Sequence, residues 1–184
     1  MSLASRIKRL YLAHLSKPVA ERQIHRLMAR QAVRSIVQMG IGNGARAVRL
    51  ARAARFYSPG QTIRFTGIDL FEGRGPQDKP GLTLRAAHKL LKPTGVQVQL
   101  VPGDPYSALA RVANNLTGSD LVLVCADQDP LSLERAWFYF PRLLHKDSHV
   151  FAEEDCSAAE PLLRQVSRGE IDVLATPQVR RTAA

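Results

Sequence analysis

Hydrophobic side chains recur along this chain at two periods, and each change of period marks a change of predicted element. Leu3, Ile7, Leu10, Tyr11 and His14 fall at helical spacing and predict a helix over residues 3–15. Lys17-Pro18 interrupts it, and Pro18 suits the first turn of a second helix over about 18–33. In that helix Ile24, Leu27, Met28 and Gln31 lie around one side, while Arg22, Arg26, Arg30 and Arg34 form a stripe on another. Ser35–Met39 is a short apolar run ending in glycines, the pattern of a buried strand. A helix at Ala45–Phe56, a turn at Ser58-Pro59-Gly60 and a strand at Thr62–Leu70 follow. A polar, Gly- and Pro-rich loop at Glu72–Gly81 leads to a helix over Leu82–Leu91. Val96–Val101 alternates with glutamines as a third strand, and Tyr106–Leu116 reads as helical. Ser119–Ala126 is continuously apolar, as a strand covered on both faces should be. The rest predicts a helix at Leu131–Leu144 with Trp137–Phe140 in the core, and a strand at His149–Ala152. A helix at about Ala158–Arg168, a short strand at Ile171–Leu174 and a disordered tail complete the reading.

Strands alternating with helices of this length predict an α/β fold: a doubly wound, mainly parallel sheet of five to six strands with flanking helices and a shortened C-terminus. The expected organisation is a basic helical extension over 1–34, a Rossmann-like core over 35–176 and a tail over 177–184. Ligands of such sheets bind beyond the carboxyl ends of the strands, where strand order reverses.

The chain's 184 residues suffice for one domain with a sizeable core. Its 45% hydrophobic and 23% charged residues are those of a soluble globular protein. Apolar stretches such as Leu121–Ala126 fall far short of a membrane span, and no apolar signal core opens the chain, so a cytoplasmic location is expected. Cys125 and Cys156 match neither a metal-ligand spacing nor a disulfide framework, which fits a reducing compartment. The net charge of +10 is uneven: residues 1–55 hold twelve Lys/Arg and one acid, Glu21, while the remainder is close to balanced. Such asymmetry points to an anionic partner (nucleic acid, a phosphorylated substrate or a membrane surface) gripped through Arg22, Arg26, Arg30 and Arg34, or else to a solvated arginine face.

Gly40-Ile41-Gly42-Asn43-Gly44 leaves the first strand and opens a helix. A turn this tight needs residues that accept positive φ, and a ligand approaches backbone most closely where Cβ atoms are absent. The helix N-terminus behind it offers N–H groups to an anion. Asp69 ends the second strand, where a carboxylate can accept from both ribose hydroxyls. It could equally cap the run Asp69-Leu70-Phe71-Glu72. Asp104 ends the third strand, placed to face an adenine amino group or to close a turn before Pro105.

The order of VQMGIGNG (37–44), TGIDLFE (66–72), VPGDPYSAL (101–109) and SDLVLVCADQD (119–129) resembles the class I S-adenosylmethionine-dependent methyltransferases over about residues 33–155. The resemblance implies S-adenosyl-L-methionine as cofactor. It places Gly40, Gly42 and Gly44 along the methionine and ribose, Asp69 on the ribose and Asp104 toward the adenine. Gln38, Asn43, Leu70, Pro105 and Cys125 complete the implied cofactor-binding set. Gln38 stands where the family usually has an acid, and brings a hydrogen bond without a charge. VLVCADQD together with HVFAEED also looks like the metal-dependent O-methyltransferases of the catechol type. Here Cys125 replaces the first expected aspartate ligand and Glu153-Glu154 an Asp-Asn pair, so no metal site is assigned. Asp127 and Asp129 are the candidate catalytic groups, whereas His88, His145 and His149 are scattered. Two alternatives stand beside methyl transfer. One is an NAD(P)-dependent oxidoreductase, since Gly40–Ala45 also satisfies G-x-G-x-x-G/A; the other is an inert binding module on the same fold.

Overall fold

The computed structural model describes residues 3–154 and 162–176. Helices α1 (Leu3–His14) and α2 (Arg22–Arg30), joined through a 3-10 turn at Val19–Glu21, precede strand β1 (Ser35–Met39). Then come α3 (Ala45–Tyr57), β2 (Arg64–Asp69), α4 (Leu84–Leu91), β3 (Gln97–Pro102), α5 (Pro105–Val112) and β4 (Ser119–Val124). Helices α6 (Pro130–Ala136) and α7 (Phe140–Leu143), strands β5 (Leu144–Glu154) and β6 (Leu162–Val166) and helix α8 (Arg168–Ala175) complete the order. The six strands form one sheet in the order β3-β2-β1-β4-β5-β6. β1 to β5 run parallel and β6 pairs antiparallel with β5.

Alternation within the strands divides the core between the two sheet faces. Ile36, Phe65, Leu121, Leu123 and Phe151 face α2, α3 and α4. Val37, Met39, Ile68, Val122 and Val150 face α5 to α8. β1 is buried at every position, while the edge strand β3 exposes alternate residues, as a one-sided edge should. β1 leads out to β2 on one side and pairs with β4 on the other, so its carboxyl end is where strand order reverses. No helix among the described residues is long and apolar enough to cross a membrane.

Three expectations are corrected. The last helix and strand come in the opposite order: Leu162–Val166 is the strand and Arg168–Ala175 the helix. The physical reason is a cap, because the Ser167 side chain accepts from the Glu170 N–H and starts α8 there. The helix expected at 131–144 breaks after Ala136: Trp137–Tyr139 form a 3-10 turn that leaves Phe138 exposed, and Pro141, which has no N–H to give to that turn, lies in the first turn of α7. The four arginines make no single stripe. α2 ends at Arg30, Gln31 is extended, and Arg34 lies on the approach to β1, where its N–H donates to Asp120. Of the three arginines on α2, Arg22 spends its Nε on the Ser16 carbonyl. Cys156 and the tail 177–184 lie outside the described residues.

Candidate cofactor site

The glycine loop is shaped by backbone conformation and by crowding. Gly40, Gly42 and Gly44 hold φ of 88°, 54° and 77°, a region that costs other residues energy. At Gly40 a Cβ would also strike the side chains of Cys125, Asp127 and Gln128. Between the first two glycines Ile41 drops into the sheet, where its Cδ1 would lie 2.7 Å from any Cβ on Gly67 of β2. Gly44 caps α3 in the left-handed conformation beneath Leu82 and Leu90 of the α4 region. The loop's donors turn inward. Gly40 N–H donates to the Ile68 carbonyl at 2.9 Å, Gly44 N–H to the Ile41 carbonyl at 2.8 Å, and Ala45 N–H to Asn43 Oδ1 at 3.0 Å.

Asp69 receives two further loop donors. Its Oδ2 accepts from the N–H groups of Ile41 (2.7 Å) and Gly42 (3.0 Å). Its Oδ1 accepts from Phe71 N–H (3.3 Å) and from the Arg74 guanidinium. Four donors fill a carboxylate's acceptor sites. The chain turns sharply to achieve this, with Phe71 buried at φ 50°. Asp104 is filled likewise. It caps α5 through the N–H groups of Tyr106 and Ser107, both at 3.1 Å, and also accepts from the hydroxyls of Ser107 (2.5 Å) and Ser132. Burial raises its pKa, but these hydrogen bonds outweigh burial and hold it at about 2. Asp69, Leu70, Asp104 and Pro105 border a cavity of about 250 Å³ that Arg74 also lines.

A larger cavity, about 500 Å³, opens on the other side of the loop. Gln38, Gly40, Gly42, Asn43 and Cys125 line it, while Gly44 lies outside both. Gln38 is fully enclosed: its Nε2 donates to the Gly40 carbonyl at 2.7 Å, but its Oε1 is buried with no partner among the described residues. Cys125 donates its thiol to the same carbonyl at 3.2 Å, and burial pushes that thiol up to about 12, so it stays protonated. The wall beyond carries charge. Arg46 of α3 donates to Glu153 of β5 at 2.5 Å, and Glu153 also accepts from Ala126 N–H at 3.1 Å. Burial opposes ionisation of Glu153, but Arg46 beside it overrides that and lowers its pKa. Arg49 grips the buried Glu21 through Nε and Nη2, at 2.8 and 2.6 Å.

The sequence-predicted residues thus gather in two adjoining cavities, with Lys79 and Asp127 bordering both. Asp127 is exposed at that junction; Asp129 caps α6 through Ser132 N–H at 2.7 Å. Glu154 pairs with Arg164 of β6. His145 contacts Asp120 and His149 contacts Gln165, both away from the cavities, and His88 is exposed. Sequence reasoning missed Arg46, Arg49, Arg74, Lys79 and Ser132. Arg46 and Arg49 had left a signal: cations without an acid in the first turns of α3 oppose the helix dipole, which calls for anionic partners nearby.

No protein-family model matches the chain, and no curated protein matches it. Solved structures do. An apo TDP-rhamnose 3′-O-methyltransferase of calicheamicin biosynthesis superposes with a TM-score of 0.54 at 20% identity, covering 82% of this chain and 76% of that one. A TehB-like S-adenosylmethionine-dependent methyltransferase from Corynebacterium glutamicum gives 0.50 at 16% identity over 94% of this chain and 78% of its own. The chain has a class I methyltransferase fold. A candidate O-methyltransferase from Nostoc punctiforme shares this methyltransferase fold at a TM-score of 0.51 and 14% identity over 82% of this chain, which spans only 42% of that protein's length. At these identities the likeness is one of fold.

Proposed function

We propose that the chain is an S-adenosylmethionine-dependent methyltransferase, with the glycine loop and the larger cavity holding the cofactor's methionine end. The observation that carries this reading is the Gln38 amide oxygen, buried at the wall of that cavity and unpartnered among the described residues. A buried acceptor without a donor costs about 1–3 kcal/mol, and an ammonium-bearing ligand in the cavity would remove that cost. Lys79 on the same wall suits the carboxylate of such a ligand. The cofactor supplies an activated methyl group on its sulfonium. The protein's part is to fix the geometry of attack and exclude water, which requires no strongly perturbed base. Asp127, at the junction of the two cavities, is the group placed to meet an acceptor.

The NAD(P) reading is the weaker one. Pyrophosphate binding at a Rossmann loop uses free N–H groups at the helix start. Here the N–H groups of Ile41, Gly42, Gly44 and Ala45 are spent inside the protein, which leaves only those of Asn43, Arg46 and Ala47 for a pyrophosphate.

The adenosine half demands one rearrangement, since Asp69 can accept a ribose hydroxyl only where Arg74 now donates. A thermal-shift panel with S-adenosylmethionine, S-adenosylhomocysteine, NAD and NADP tests the whole reading. A ligand at a hundredfold excess over its Kd stabilises by about 2.7 kcal/mol. The two sulfur nucleosides should shift Tm and the nicotinamides should not. A shift with NAD alone supports the oxidoreductase, and no shift at all supports the inert module.

A further inference from the structure

The apolar residues that predict α1 do not face the core. Leu3, Ile7, Leu10, Tyr11 and Leu15 are each more than half exposed, from 54% at Tyr11 to 73% at Leu3. The helix docks instead through its other side: Ala13 is buried, Leu12 packs on the core, and Arg9 donates to the Tyr57 carbonyl while lying over the rings of Phe56 and Tyr57. Spacings of three, four and seven put Leu3, Ile7, Leu10, Tyr11 and His14 on one outward stripe. Arg6 borders the stripe on one edge and Lys8 on the other, and Lys17 follows its end; all three are exposed. α2 behaves oppositely, burying Ile24 and Met28 and exposing Arg26 and Arg30.

The charge around this stripe has one sign. Glu21, the single acid of residues 1–55, is 2% exposed and held by Arg49 and Arg46. The exposed surface of α1 and α2 therefore presents apolar and cationic side chains without an acid among them. We propose that α1 docks this protein on an anionic lipid surface, with Leu3, Ile7 and Leu10 of the stripe and Leu15 just beyond it entering the headgroup boundary and Arg6 and Lys17 meeting lipid phosphates and carboxylates, while the Lys8 ammonium lies over the Phe56 ring. An in-plane helix of this kind needs an apolar face, cationic flanks and no anions, and Tyr11 is amphipathic in the way interfacial aromatics are. The inference does not depend on the cofactor reading.

Flotation of the full chain with vesicles tests it, using pure phosphatidylcholine against phosphatidylcholine carrying about 30% phosphatidylserine, where each Lys or Arg near the surface adds roughly fivefold in affinity. The protein should float with the anionic vesicles at least tenfold better than with the neutral ones, and less so in high salt. Ile7→Glu with Leu10→Glu should abolish flotation while leaving Tm unchanged, since both positions are exposed. Arg6→Gln with Lys17→Gln should weaken it about 25-fold, with the apolar face intact. Failure of the native chain to float on anionic vesicles overturns the proposal. So does flotation that survives Ile7→Glu with Leu10→Glu. A chain that stays off the vesicles but forms a dimer dissolved by the same pair would assign the face to a second copy instead.

Discussion

The two cavities flanking the glycine loop sit at neighbouring strand exits, those of β1, β4 and β5 for the larger and those of β2 and β3 for the smaller, yet they are in opposite states. On the Asp69 side both strand-end carboxylates are engaged: Asp69 by two loop N–H groups, Phe71 N–H and Arg74, and Asp104 by two N–H groups and two hydroxyls. On the Gln38 side an enclosed acceptor is left over, on a residue that lines a space twice as large. The first arrangement holds the protein together without a ligand, while the second has an unmet need that a ligand can fill. An acid at a strand exit is thus two things at once, a scaffold for the loop and a potential ribose partner, and Arg74 determines which role is available.

Substitutions separate these roles. Asp69→Ala would have the largest effect: it strips Arg74 of its buried partner and orphans two loop N–H groups, costing about 3–5 kcal/mol. Urea unfolding without any ligand measures this; an Asp69 that served only a ligand would leave that midpoint unchanged. Gly67→Ala forces a methyl against Ile41 and should cost about 1–3 kcal/mol by overpacking, again without ligand present. Gly42→Ala meets open space but keeps a left-handed φ, so its stability cost is near 1 kcal/mol. Its added methyl lines the larger cavity, so calorimetry should show a ligand penalty that unfolding does not.

The smallest effect concerns pH. Asp104 has a folded pKa of about 2 against an ordinary 3.8, so its contribution to stability is complete above about pH 4 and is lost as pH falls from 3.8 toward 2. Ser132→Ala removes one of the donors responsible and should flatten the slope of unfolding midpoint against pH across that window. An unchanged slope would mean that the serine bond does not hold the carboxylate ionised.

The sheet was legible because its central strands are short apolar runs closed by Gly, Pro or Asp. β1 matched residue for residue, and β2 and β4 to within about two residues at each end. The C-terminal order was misread although Ser167-Arg168-Gly169-Glu170 carries a capping signature, because the apolar spacing after Ala158 fits a helix equally well. That Gly40 to Gly44, Asp69 and Asp104 lie at or just beyond strand exits was readable from the sequence. Whether their acceptors were already taken was not, since that depends on Arg74 and Ser132 arriving from other elements. For α1 the helix itself was readable from its period, but not which side would face the core. Periodicity marks an apolar face without saying what covers it, and here Arg9 on Phe56 and Tyr57 does the docking instead.

The central claim, that the loop holds S-adenosylmethionine once Arg74 yields Asp69, is tested most directly by calorimetric titration of S-adenosylhomocysteine into the native chain and Arg74→Met. The native chain should bind, and Arg74→Met, which lacks the competing guanidinium, should bind about tenfold tighter, a gain of roughly 1.4 kcal/mol. No binding by either protein, or equal affinity in both, would contradict it.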